Sequence, residues 1–329
     1  MSPHRWMPTP RPGRITLALL AVVPAVMAYP WRSPRDYWLL GIAVAVVIVL
    51  FGCWRGLYFT TLARRRLAIM GRGQTAAAES DPATATTALL RVEVPRHGAD
   101  VLPLPLIARY LDRYGIRAHK IRITNRDNAS DPSRRETWIG LTISAIENLD
   151  ALRARSARIP LHETAQVAAR RLADHLRELG WDVTSVAPDE IPRLLTSNPR
   201  ERWSGVQRGD SDYLAAYQIP IGEGLAETLE AIREHPARET CTALELAGDG
   251  THPTIAAACA FLTDTAPERI DPPGGLIPQR GNHRPALQAL DLLSTRRLDG
   301  HAEVPAGLLA QLDWPTPIRE TSAAEAART

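Results

Sequence analysis

Leu161–Leu179 reads LHETAQVAARRLADHLREL. Its apolar residues Ala165, Ala168, Ala169, Leu172, Leu176 and Leu179 recur at the three- and four-residue spacing of one helical face. Gly180 stops the pattern, and Trp181–Ala187 follows as a strand. Upstream, Trp138, Ile139, Leu141 and Ile143 mark Thr137–Ile146 as a core strand, and His119–Thr124 reads as another. The polar stretch Asn125–Arg135 between them reads as their connection. Pro105–Tyr114 reads as a short helix with Gly115 as its C-cap, and Leu89–Val94 as the first strand. Strand, helix, strand, strand, helix, strand is the ferredoxin-like, split β-α-β signature.

Downstream the order partly repeats. Tyr213–Ile219 reads as a strand, Leu225–Glu234 as a helix, Cys241–Ala247 and Thr254–Leu262 as strands, and Arg284–Leu293 as a helix. The sequence therefore predicts an α/β (α+β) domain over residues 89–314, with two ferredoxin-like halves as the hypothesis the repeat raises. Asp249-Gly250 signals a hairpin turn. A two-residue turn would set Cys241 opposite Ala258, and a three-residue turn opposite Cys259. With three cysteines in all and no C-x-x-C spacing, neither a disulfide framework nor a zinc site is supported.

The N-terminal part has a different character. Ile15–Tyr29, ITLALLAVVPAVMAY, and Tyr37–Trp54, YWLLGIAVAVVIVLFGCW, carry no charge. They read as a transmembrane helical hairpin, given a rise of about 1.5 Å per residue and a hydrocarbon core of roughly 30 Å. A cleaved signal peptide ending near Val26-Met27-Ala28 competes for the first run, but a second run so close behind favours the hairpin. Trp31, Trp38 and Trp54 would mark the lipid interfaces. Arginine dominates the outer flanks, which predicts both termini on the cytoplasmic side of the inner (plasma) membrane, with Arg64, Arg65 and Arg66 against lipid headgroups. Neither run holds an ionisable residue, so an anchor is expected and a conduit is not. Residues 1–14 read as a basic arm, residues 55–88 as a basic juxtamembrane segment and linker, and residues 315–329 as a flexible tail.

Chemistry is sparse. A net charge of +3 gives no footprint for nucleic acid. No Walker A loop, G-x-S-x-G elbow, H-E-x-x-H or post-strand G-x-G-x-x-G occurs, so no catalytic residue, cofactor or metal is assigned. His162 and His175 share a helix but lie more than three turns apart. Pro267–Pro285 reads as a long surface loop, and its basic residues Arg280, His283 and Arg284 are the candidate partner surface. Lys120 is the single lysine of the chain.

Four stretches resemble one family. They are Arg135-Glu136-Thr137-Trp138-Ile139-Gly140-Leu141-Thr142, Pro160-Leu161 running into Glu163-Thr164-Ala165, Ala168-Ala169-Arg170-Arg171-Leu172, and Leu179-Gly180-Trp181. They are similar to EccE, a membrane component of the actinobacterial type VII (ESX) secretion system. The resemblance implies a scaffold subunit with no catalysis of its own. It would stand beside EccD as nearest neighbour, with EccB and EccC, and meet the secreted small helical proteins only indirectly. The compact length is closer to the paralogue of the iron-linked ESX system than to the longer ones. A membrane-tethered enzyme of the nucleotide-sugar transferase type, or a ligand-receiving sensor, is the alternative.

Overall fold

A computed structural model describes residues 12–27, 34–51, 53–54, 57–58, 65–67, 69, 84–93, 101–156, 159–187, 190–195, 199–209, 211–269 and 272–314. The chain divides into two compact units, Met1–Ala76 and Ala77–Thr329.

In the first unit, α1 (Pro12–Met27) and α2 (Pro34–Phe51) pack on each other, with Ala18, Ala25 and Ala43 buried. Strands β1 (Cys53–Trp54) and β2 (Leu57–Tyr58) then form a small antiparallel hairpin. This corrects the expected pair of transmembrane helices: among the described residues no helix is long and apolar enough to cross a membrane. The reason lies in the boundaries. Helix α1 has 16 residues and carries Pro24 inside it, which gives a length of about 24 Å against a core of roughly 30 Å. Helix α2 begins at Pro34 and so takes Arg35 and Asp36 into its first turn. At its other end the apolar run leaves the helix after Phe51 and continues in a strand at Cys53.

The second unit is built on one large antiparallel sheet. In chain order its elements are β3 (Ala85–Glu93), α3 (Leu104–Ala108) with a 3-10 turn at Arg109–Leu111, β4 (Asp112–Arg113), β5 (Ile116–Asn128), β6 (Asp131–Ser144), α4 (Leu149–Arg155), α5 (Leu161–Glu178) and β7 (Asp182–Ser185). They continue with β8 (Arg200–Glu201), β9 (Val206–Arg208), β10 (Asp212–Ile219), α6 (Leu225–Glu234), β11 (Glu239–Gly248) and β12 (Pro253–Thr263). The last are β13 (Ile277–Pro278), α7 (His283–Leu290), β14 (Ala302–Glu303) and α8 (Leu308–Gln311).

The main path of the sheet runs β7-β3-β6-β5-β11-β12-β10-β9-β8. Its first four strands have the 4-1-3-2 order of a split β-α-β unit. From the centre outward, β11-β12-β10 mirrors β5-β6-β3, so the two halves meet edge to edge where β5 pairs with β11. The second half departs from the first at its far edge. There the strand beside β10 is β9, which precedes it in the chain, with β13 also pairing to β10.

Alternation along the strands sorts the core. Ile121, Ile123, Ile139, Leu141, Leu244, Leu246, Ala257 and Phe261 face one side, under α5, α6 and the 3-10 turn. Cys241, Ala243, Ala256, Ala260 and Leu262 face the other, under Leu287 and Leu290 of α7. Both faces are covered, which explains the unbroken apolar run Ile255–Leu262 of β12. Cys241 and Cys259 are not directly opposed: Cys241 pairs with Ala260 and Thr242 with Cys259, because Gly248 pairs with Pro253 and four residues form the turn. Both thiols are buried and free, and burial pushes the Cys241 thiol up to about 12.

Two local features follow from backbone physics. Helix α5 ends with Gly180 at φ 93°, where the Gly180 N–H donates to Arg177 O and the Trp181 N–H to Leu176 O, the glycine-closed helix terminus the sequence predicts. Gly248 sits at φ 95°, and a Cβ there would overlap the carbonyl oxygen of His252. Gly248→Ala is expected to cost about 1–3 kcal/mol, read as a lower urea midpoint at unchanged slope.

Candidate functional site

The residues proposed from sequence fall into the two groups expected, an N-terminal set and the set at 280–284, and each is described in its own unit. Trp31 and Arg64 lie outside the described residues. Trp38 is 74% exposed on α2, Trp54 lies in β1, and Arg65 and Arg66 are in a short helical stretch. Arg280 and Arg284 are half-buried, and the Arg284 backbone N–H donates to Glu201 Oε1 at 3.2 Å. His283 is fully buried at the start of α7, where its Nδ1 accepts the Ala216 N–H at 3.1 Å. It therefore locks α7 to β10 and contributes no side chain to a surface. The stretch expected to be a long loop also carries a 3-10 turn and β13.

Two arrangements emerge that the sequence did not single out. The first is a buried charge cluster at the seam between the half-sheets. Glu245 of β11 stands directly opposite Arg122 of β5. Arg122 donates to Glu245 Oε2 through Nε at 2.8 Å and Nη2 at 2.6 Å, and Lys120 Nζ lies 3.4 Å from the same oxygen. Glu245 Oε1 accepts the Leu298 N–H at 2.9 Å and lies 3.1 Å from His301 Nε2. The remaining donors reach the segment after α7: Arg122 bonds to Asp291 O and Arg296 O, and Lys120 to Arg296 O. Lys120, Arg122 and Glu245 are each at most 3% exposed. Burial alone would raise the Glu245 pKa, but the His301 hydrogen bond, the Arg122 and Lys120 charges and the Leu298 N–H overcome it and hold the carboxyl well below its ordinary value. Burial, assisted by the Arg122 charge, brings the Lys120 pKa well below 10.5 despite Glu245.

A β-bulge creates this cluster. Ala118 pairs with Ile143 and Lys120 with Thr142, so two steps on β5 answer one on β6. Ile116 and Ala118 face the α5 side; after the bulge Ile121 and Ile123 do. Lys120 and Arg122 are thereby turned to the opposite face. The cluster ties both halves and the C-terminal segment together. Lys120, Arg122 and Glu245 are closed off from solvent, and their bonds join these parts of the chain.

The second arrangement is a cleft of about 260 Å³ between α5, the end of α4 and the β4–β5 hairpin. Ile116, Ala118, Leu141, Val167 and Ala168 give it an apolar floor, while Arg113, Arg155 and Arg171 stand around it with Glu163. The Arg113 guanidinium lies 4.7 Å from the Tyr110 ring centre and 5.0 Å from that of Tyr114, and Arg171 lies 4.6 Å from Tyr114. These are cation–π distances. The Tyr110 hydroxyl donates to Arg171 O at 3.0 Å. Among the described residues no group of histidine, cysteine, aspartate and glutamate could hold a metal ion.

Comparison with known proteins places these features in a family. The family model described as "Putative type VII ESX secretion system translocon, EccE" matches residues 131–219, the span from β6 to β10. The "ESX-3 secretion system protein EccE3" of Mycobacterium tuberculosis is 60% identical over 311 residues, covering 94% of this chain and 93% of that protein. The protein of the same name from Mycolicibacterium smegmatis is 44% identical over 314 residues, covering 95% and 98%. Similarity of this extent reaches through both half-sheets and the strands that meet at the seam, and the chain belongs to the EccE family.

Proposed function

We propose that this chain is a structural subunit of a type VII (ESX) secretion complex, of the ESX-3 branch, and supports protein export without catalysing a reaction. The observation that carries this reading is end-to-end similarity to relatives that bear the ESX-3 name. The architecture supports it: the Lys120, Arg122 and Glu245 cluster is buried in the sheet and holds parts of the chain together. EccB, EccC and EccD are the proposed partners, with EccD as the nearest. Association with the membrane is inferred from membership of such a complex. Deleting the gene in its host should abolish export of the system's small helical substrates, and re-supplying the full chain should restore it. Export that continues unchanged in the deletion strain would refute the proposal.

A further inference from the structure

Tyr114 is the only non-glycine residue with positive φ among the described residues, at 57°. It forms the β4–β5 turn with Gly115 at φ 69°. A two-residue turn with both central residues at positive φ is the type I′ hairpin, which favours Asn-Gly or Asp-Gly; a bulky aromatic there is strained. The strained residue is also 54% exposed, so burial does not compensate it. Its ring lies within 5.0 Å of the guanidinium groups of both Arg113 and Arg171, and it lines the cleft. Strain retained at such a place points to what the side chain does there.

The cleft has a definite chemical character. Three arginines face one glutamate around its rim. Stacking on Tyr110 and Tyr114 holds the planes of Arg113 and Arg171, which lowers the entropy lost when their N–H groups meet a carboxylate. Beneath them lies the apolar floor, with Val167 41% exposed at its edge. Inorganic phosphate would satisfy the guanidinium groups and leave that floor against water. A lipid headgroup meets a convex basic surface better than a walled cleft. A peptide segment with an apolar side chain between carboxylates matches both the floor and the rim.

We infer that this cleft holds an acidic peptide segment of another subunit. An apolar side chain of that segment enters over Ile116, Ala118 and Leu141, and its carboxylates meet Arg113, Arg155 and Arg171. The inference rests on the reading of the chain as a subunit of a larger complex, and it names the kind of partner surface that reading requires.

The test uses the full chain in its native complex, with a C-terminal tag and the photoreactive residue p-benzoylphenylalanine in place of Val167. Illumination before gentle solubilisation should join it to a protein segment that carries at least two aspartates or glutamates around an apolar residue, identified by mass spectrometry. Tyr114→Asn relieves the turn, so it should keep or raise the thermal midpoint while lowering the cross-link yield about tenfold, the scale of one lost charge-assisted contact. Arg113→Glu with Arg171→Glu should lower it at least as much. The proposal is overturned by a cross-link to lipid, by one to a segment without carboxylates, by a yield that both variants leave unchanged, or by no cross-link although partner subunits co-purify. Recovery of the tagged chain with no partner subunit is a different result and contradicts the subunit reading itself.

Discussion

Glu245→Ala is expected to lower the unfolding free energy by about 3–5 kcal/mol, the usual loss when one member of a buried ion pair is removed. The size follows from what remains. Lys120 and Arg122 stay buried without their carboxylate, and the Leu298 N–H and His301 lose their acceptor. Replacing all three charged residues with apolar ones of similar volume is expected to cost less, because no charge is then left buried without its partner, while the Leu298 N–H and the Asp291 and Arg296 carbonyls still lose theirs. Urea unfolding of the single and triple variants separates these cases. The same carboxyl sets the acid limb of stability. Its folded pKa lies below the ordinary 4.5, so its contribution is full above that pH and is lost as pH falls through the folded value. The wild-type midpoint should therefore drop on acidification below about pH 4.5, and Glu245→Gln should remove that part of the slope. Lys120 acts in another window. Between its lowered pKa and 10.5 the unfolded chain holds more protons, so stability rises with pH there.

Trp314→Ala is expected to cost about 3–5 kcal/mol. Trp314 is 1% exposed and belongs to the larger core, and its carbonyl accepts the Leu102 N–H at 2.7 Å. With Leu229, Ile232 and Thr242 it lines a small cavity at the end of the described chain. Removing the indole opens that end of the core beneath α6. Trp314→Phe should lose much less, because the indole N–H has no hydrogen-bond partner among the described residues and the apolar contact is largely kept. Thermal midpoints of the two variants should differ clearly, with the alanine form far lower.

Much of the domain was legible in the sequence because its elements obey their periods. The helix at Leu161 and the strands around Thr137, Tyr213 and Thr254 follow from spacing alone. Asn125–Arg135 misled because charged residues within it are paired inside the sheet. Arg126 is paired with Glu239 and Arg135 with Asp127, so β5 and β6 continue far beyond their apolar centres. The helix at His283 could be seen, but its face could not: it lies on the side of the sheet opposite α5 and α6. His283 reads as a loop base and is a buried acceptor.

The seam was hidden for a related reason. A bulge shifts side-chain parity by one residue, and nothing local in Ala118-His119-Lys120 announces it. One signal was available. Lys120 and Arg122 in one strand, and Glu245 among the apolar residues of another, must find each other if both strands are central. The cleft was illegible because its arginines come from three separate elements, and only the fold brings them together. At the N-terminus, composition indicated helices correctly. Their limits at Pro34 and Phe51, and the strand pairing after them, do not follow from hydropathy.

The most direct test of the subunit reading is recovery of the tagged full chain from gently solubilised membranes, with every co-purifying protein quantified. One large assembly is expected, with homologues of EccB, EccC and EccD in fixed proportion to the chain. Recovery of the chain alone, with those three proteins assembled and intact in the unbound fraction, would contradict it.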